Sequence, residues 1–391
     1  MSKNLLFIPG PVTVAEPVLA AGAQPMIDHR GPQFKALLER LAARMRPIFG
    51  TANADVLLLG SSGTGGLEAA VGNLFGPGDR VLACPIGVFG QRLIAIAGRF
   101  GCDVDVLETP WGAALDPDAL RARLDGAATP YDGVLLTHNE TSTGAQNDME
   151  PIAEVLAGRG LFTVVDSVSG LAASPFAMDA WGFDIVVTAS QKALAAPPGL
   201  AMVAVAQRAW ERIAANTGAQ RYYFDLAKAR EFASLGQTPW TPPVSIAFAL
   251  DAALDAFERA GAAAVHERHR RYAAAIRAAA EALGLRIFSH AGAHSPTVVA
   301  IALPEGIDGD AIRKSLRESR GVVIGGGQQS LKGTIIRIGT MGDLTQTDVL
   351  GALGALEIAL LEAGAPVFAG KGVQAALRVF LEADRGEPVE V

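Results

Sequence analysis

The segment TASQKALAAPPG, residues 188–199, holds one lysine in a stretch where nothing else is charged: from Ile185 to Gln207, Lys192 is the only residue that normally carries a charge. An ammonium moved from water into apolar surroundings loses hydration, and its pKa falls by up to about 3 to 5 units from about 10.4. The neutral amine so produced attacks carbonyls, and such lysines make Schiff bases. A lysine with its stem on the core and its ammonium in water fits the same pattern.

Two further stretches bear on this chemistry. In LFTVVDSVSG an apolar, strand-like run closes on Asp166, and LLLGSSGTGGLEAA turns through Gly60 to Gly66 into a helical pattern near Leu67. Glycines let a backbone approach an anion closely, and free amides at a helix N-terminus complete a phosphate site without a basic side chain. The turn matches neither GxGxxG nor GxxxxGK[ST]. Taken singly, Asp166 also reads as a turn cap and the glycines as an ordinary turn. Taken together, a phosphate cradle, a strand-end acid and a strand-end lysine correspond to the phosphate, ring nitrogen and aldehyde of pyridoxal phosphate.

The elements that must position these residues follow from the hydrophobic pattern. DVLLLG, RVLACP, DVDVLE, GVLLTH, LFTVVD and DIVVTA read as strands, separated by segments of helical spacing such as LEAAVGNLF, GQRLIAIAGRF and EPIAEVLAGRG. Continuous apolar strands alternating with helices predict an α/β fold with a mostly parallel sheet covered on both faces, and ligands gather outside the carboxyl ends of such strands. GLAMVAVA reads as an antiparallel neighbour of DIVVTA. An Ala-rich helical region after Pro243 runs to about Leu283, broken by Gly261, and TVVAIALP, GDAIRKSLRES, GVVIGG, TIIRIG and a helix from about Thr345 form a smaller α/β unit. With 391 residues, two units are expected: an N-terminal arm over 1–20, a large domain over 21–257 and a small C-terminal domain over 258–391.

Composition excludes several classes. The net charge of −7 gives no basic excess for nucleic acid or anionic membranes, and the arginine-rich HERHRRY, on an expected helix, is interrupted by glutamate. No uncharged apolar run reaches the ~18 to 20 residues of a bilayer span, and Pro9, Gly10 and Pro11 interrupt the short apolar patch near the N-terminus. The terminal EPVEV is no peroxisomal address. Cys84 and Cys102, the two cysteines, are too few for a disulfide framework and lack metal-ligand spacing. A cytoplasmic enzyme without a metal is the expectation.

The stretch VDSVSG...MDAWGFDIVVTASQKALAAPPGLA resembles the cofactor-lysine region of class V aminotransferases, in the alanine–glyoxylate and serine–glyoxylate (serine–pyruvate) branch. The resemblance runs from FIPGPVTV and PMIDHRGPQF through SSGTGGLEAA, GVFGQR, THNETSTG and TPPVS to IIRIGTMG. It implies the type I fold of pyridoxal-phosphate enzymes, with a mostly parallel seven-stranded sheet. It implies a ping-pong exchange between a small amino acid, serine or alanine favoured, and a small 2-oxo acid, glyoxylate or pyruvate.

Residue by residue, the resemblance implies that Lys192 carries the cofactor and moves the α-carbon proton, that Asp166 pairs with the ring nitrogen, and that Phe89 stacks on the ring with Val168 behind it. Ser62, Gly63, Thr64 and Gln191 correspond to phosphate ligands, Thr141 to a hydroxyl near the phenolic oxygen, and Arg337 to the anchor of the substrate carboxylate. Thr241 corresponds to a residue reaching the phosphate of a neighbouring subunit, so a homodimer with shared sites is implied. Thr238 stands where relatives often have Tyr. His29 and Arg30 line an entrance or form a surface pair, and Arg337 by spacing alone reads equally as a solvent-facing edge-strand residue. A lyase of the same fold, of the cysteine desulfurase kind, would need a mobile cysteine in the second half of the chain. A non-covalent nucleotide-binding module would show no visible absorption, whereas a cofactor conjugated to lysine absorbs near ~400 nm.

Overall fold

The computed structural model describes residues 4–218 and 221–385; EPVEV lies outside them. A seven-stranded sheet runs, edge to edge, through Asp55–Gly60, Leu200–Val205, Ile185–Ala189, Phe162–Asp166, Gly133–Thr137, Arg80–Cys84 and Asp103–Val106. Leu200–Val205 is antiparallel to both neighbours, and every other pairing is parallel. Six strands therefore end at the same rim, and the expected antiparallel neighbour is this one reversed strand.

Side-chain alternation builds a core on each face. Val56, Leu58, Val165, Val186 and Met202 enter one cluster with the helices Pro32–Phe49 and Val244–Ala260, while Leu57, Leu59, Val164, Val187 and Val203 enter another with Gly63–Leu74 and Val88–Arg99. Strands buried on both faces need apolar residues at successive positions, hence the unbroken runs DVLLLG and DIVVTA.

A second sheet orders Leu5–Phe7, Val322–Gly326, Ile335–Gly339, Val298–Ala302 and Arg286–Ile287. Leu5–Phe7 pairs in parallel with Val322–Ile324, so the segment read as an arm contributes an edge strand to the distant C-terminal sheet. Three residues carry too little periodicity to announce this. Ile335–Gly339 is an interior strand, which removes the edge-strand reading of Arg337. The Ala-rich region splits at Gly261 (φ +80°) into Val244–Ala260, packed under the large sheet, and Ala262–Ala282, packed on the C-terminal core with the helix Lys371–Asp384. That last helix follows Gln346–Glu362 and completes the expected closing segment. No helix of the described residues is long and apolar enough to cross a membrane.

Candidate active site

Strand register brings the polar strand ends together. Asp166 lies opposite Thr137 and Val187, so the turns carrying Asn139–Thr141, Asp166–Val168 and Ser190–Lys192 leave the sheet at one level. Gly60 and Cys84 end strands that run in the same direction, with four strands between them, and lead to Ser62–Thr64 and Phe89.

Lys192 does not reach out to water. Its Nζ donates to the Pro9 carbonyl, and a Cβ added to Gly10 (φ +115°) would lie 2.8 Å from both Cδ and Nζ. The N-terminal segment is thus a lid on the lysine, and only glycine fits there. Burial is the largest influence on the amine and lowers its pKa to about 8; Asp166 pulls it up, and Arg337 and Arg92 push it further down. Asp166 is 4% exposed, and burial raises its pKa to about 7 despite the Val168 N–H donated to it at 2.9 Å. No ion pair joins Asp166 to Lys192 among the described residues. The carboxylate is an acid waiting for a cation to face.

Stability follows from these directions. Between the ordinary carboxylate pKa near 4 and about 7 the folded chain holds more protons at Asp166 than the unfolded chain, so this group's contribution to stability falls as pH rises through that window. Apoprotein carrying Asp166→Asn, a neutral mimic, is expected to melt higher than wild-type apoprotein at pH 8, with the gap closing toward pH 4. Melting curves at the two pH values decide it; a gap that widens on acidification contradicts the burial assignment.

The Gly-rich turn runs directly into a helix. The helix Gly63–Leu74 starts directly after Ser62, whose side chain makes no cap bond. A Cβ at Gly63 would meet Val168 Cγ2 at 2.8 Å, so backbone amides and the residue behind the expected ring pack in direct contact. Gln191 Oε1 is buried without a partner. Phe89 sits on the helix Val88–Arg99, and the Arg92 guanidinium lies 4.7 Å from its ring centre while donating to Thr64 Oγ1 at 2.9 Å. Thr141 is buried, and its carbonyl accepts from Arg337.

Arg337 is 6% exposed, and burial lowers its pKa to about 10. Nε donates to the Gly326 carbonyl and Nη1 to the Thr141 carbonyl, both at 2.7 Å. Those bonds fix the plane of the fork and use two of its five N–H groups. Among the described residues it has no ion-pair partner, so its charge awaits an incoming anion.

Thr241 is exposed on the loop before Val244–Ala260, with no hydrogen bond to its own chain. Arg30, read as an entrance or surface residue, instead holds this loop: Nη1 donates at 2.8 Å to both Gln237 Oε1 and the Thr238 carbonyl, and its guanidinium lies over Phe232. Thr238 turns inward to the Trp240 carbonyl.

Four contributors escaped the sequence reading. Glu140 is fully buried, its oxygens accepting from the N–H groups of Phe89, Gly90 and Ser142, so it ties the Phe89 turn to the Thr141 turn. Its place in HNETSTG, directly after an apolar strand, was the available signal. Arg92, three residues after Phe89 and therefore on the same helix face, was legible in GVFGQR. His138 packs beneath Asp166 with Nδ1 2.8 Å from Ser167 Oγ, and burial lowers its pKa to about 4. The Pro9 carbonyl had no local signal. Burial raises the thiol pKa values of Cys84 and Cys102 to about 12 and about 11.

Residues and gaps here suit pyridoxal phosphate: amides and a glycine cradle for phosphate, a buried acid for a ring nitrogen, and a desolvated amine for an aldehyde. The family model for aminotransferase class-V matches residues 18–350. A Synechococcus protein named as the small subunit of a soluble hydrogenase is 39% identical, aligned over 96% of this chain and 98% of its own. The L-aspartate–glyoxylate aminotransferase of Paracoccus denitrificans is 36% identical over 96% of each chain. The crystal structure of ureidoglycine–glyoxylate aminotransferase from Bacillus subtilis superposes with a TM-score of 0.92 at 31% identity, covering 97% of this chain and 99% of that one.

Proposed function

Because the chain belongs to the aminotransferase class-V family and is a pyridoxal-phosphate-dependent transaminase, we propose that Lys192, Asp166 and Arg337 are the three residues on which its reaction turns. The observation that carries this reading is the desolvated Lys192 amine on the strand-end rim that also holds a buried Asp166 without an ion pair, with Arg337 of the second sheet, likewise without an ion pair among the described residues, bonded to the Thr141 carbonyl at that rim. When bound, the cofactor supplies an aldehyde for covalent attachment and a ring that delocalises the electron pair left at a substrate α-carbon.

Lys192 has a pKa near 8, so a substantial fraction is neutral at physiological pH and nucleophilic toward an aldehyde. The same amine, when free, would take the proton from the substrate α-carbon. Asp166, buried and ionisable near neutrality, would pair with the ring nitrogen and keep it protonated. The amides of Gly63 and Thr64, the Ser62 and Thr64 hydroxyls and Gln191 would hold the phosphate. Phe89 and Val168 would pack on the ring, and Thr141 would offer its hydroxyl to the phenolic oxygen. Arg337 grips the α-carboxylate with its remaining N–H groups, which fixes the orientation of the breaking C–H bond.

Arg337 bonds only the Gly326 and Thr141 carbonyls and keeps three N–H groups for substrate, whereas Arg92 is held by Thr64 and Phe89 and Arg30 by the 237–239 loop. One such open fork suits a donor with one carboxylate, so serine or alanine with glyoxylate or pyruvate is the favoured pair. Aspartate, the donor in the name of the Paracoccus relative, needs a second cation. The hydrogenase name of the Synechococcus relative is not carried over, because a lysine amine, a buried acid and an open guanidinium handle amino acids. The decisive experiment is a half-reaction panel: single amino acids are added to holoenzyme, and loss of the visible band is followed, then its return with each 2-oxo acid. Rapid reaction with aspartate and none with serine or alanine would overturn the donor assignment.

The large domain over 21–257 and the small one over 258–391 carry the two halves of this site, and a homodimer completes it through Thr241. Arg30→Ala, which frees the 237–239 loop, is expected to weaken cofactor binding about three- to tenfold, the scale of one or two partly exposed charge-assisted hydrogen bonds. Hybrid dimers of a Lys192→Ala subunit with a Thr241→Ala subunit should recover wild-type cofactor affinity in the sites holding an intact Lys192. Recovery of none would place Thr241 outside the neighbouring site.

A further inference from the structure

Behind the active-site rim lies a second cavity, of about 610 Å3, between the Ala262–Ala282 helix and the loops 146–149, 173–181 and 292–296. The helix lines it with Ala263, His266, Glu267, Arg270 and Arg277, spaced at i, i+3, i+4, i+7 and i+14, a single stripe along one face. This is the HERHRRY segment and its continuation, which the reaction does not use.

Arg277 is 7% exposed, yet it makes no hydrogen bond and no ion pair among the described residues. Glu281, one turn further, acts on it only at a distance. A guanidinium this enclosed and without a protein acceptor keeps its N–H groups for an anion, and the cavity leaves room for one. Of the other charges in the wall, Arg270 pairs with Glu267, and Asp148 accepts the Glu150 N–H of its own helix. Arg277 is the cation left without a bonded partner among the described residues.

Neutral donors surround it. Gln146 uses Oε1 to accept from Ser174, which leaves its amide N–H groups to turn toward the cavity. His294 has Nδ1 2.9 Å from Ser289 Oγ, and burial holds both His266 and His294 below the usual imidazole range, hence uncharged at neutral pH. A planar fork with no bonded acceptor, beside neutral N–H donors, is complementary to a planar monoanion.

We propose that this cavity is a second anion site that binds a small monocarboxylate through Arg277, separate from the carboxylate anchor at Arg337. It is the chemical class of the 2-oxo acids an aminotransferase consumes and produces. His138 forms part of the wall and donates its backbone N–H to the Asp166 carbonyl at 2.8 Å, so the cavity and the cofactor acid share a partner.

Trp181 also lines the cavity, which makes its fluorescence a reporter. Holoenzyme titrated with sodium acetate at constant ionic strength should show a saturable change that Trp181→Phe removes. The same change should persist in Arg337→Gln, vanish in Arg277→Gln and weaken about tenfold in Arg277→Lys, which keeps the charge and loses the fork. Retention of the visible cofactor band shows that each variant is folded, and Arg277→Lys alone decides if Arg277→Gln does not fold. No saturable response in the wild type, an unaltered response in either Arg277 variant, loss of the response in Arg337→Gln, or binding of chloride as tight as that of acetate would overturn the proposal.

Discussion

Replacing Lys192 with alanine is expected to lower kcat at least about 10,000-fold while leaving the fold intact. General acid–base transfer alone contributes about 100- to 10,000-fold, and loss of the covalent anchor adds to it. The fold should survive because the side chain crosses a gap rather than filling a core: its one hydrogen bond goes to the Pro9 carbonyl, which the lid can offer to water instead. Apoprotein Lys192→Ala should melt no lower than wild-type apoprotein below pH 8, since it removes an ammonium whose pKa burial has lowered from its ordinary value. Single-turnover mixing with serine and with alanine measures the chemical step. Cycling at the wild-type rate would show that another group moves the proton.

The second large effect is at Arg337. Replacement by glutamine is expected to reduce kcat/KM for amino acid donors about 100- to 10,000-fold, with cofactor affinity changed little. Two charge-assisted hydrogen bonds at about 1.5 to 3 kcal/mol each set that scale. Arg337→Lys should recover only part of the loss, because an ammonium keeps the charge but cannot hold a carboxylate in a plane, and the α-carbon hydrogen is then poorly aimed. The second-order rate constant of the amine half-reaction, measured beside the cofactor dissociation constant, separates this role from a structural one. A loss confined to cofactor binding would mean that Arg337, bonded to the Gly326 and Thr141 carbonyls, only braces the strand.

What the sequence disclosed and what it hid divide along sequence distance. Lys192 stood out because charge is absent around it for more than twenty positions, and Asp166 because strand ends are visible as breaks in apolar runs, whereas Thr141 came from the family resemblance. The six same-direction strands and the reversed Leu200–Val205 were legible for the same reason. Leu5–Phe7, the Pro9 carbonyl over Lys192 and the Arg30 clasp on the 237–239 loop were not, since each joins segments far apart in the chain and leaves no periodic trace. Glu140 shows a third case: an acid is expected at the surface, and only the fold reveals that the N–H groups of Phe89, Gly90 and Ser142 justify its burial. Arg337 needed the sheet order, because spacing cannot tell an interior strand from an edge.

Borohydride makes a lysine-bound cofactor permanent, so reduced holoenzyme can be digested and the peptide that carries the added mass identified. The cofactor mass is predicted on Lys192, in the peptide containing TASQKALAAPPG. Its appearance on any other lysine, or on none, would contradict the account.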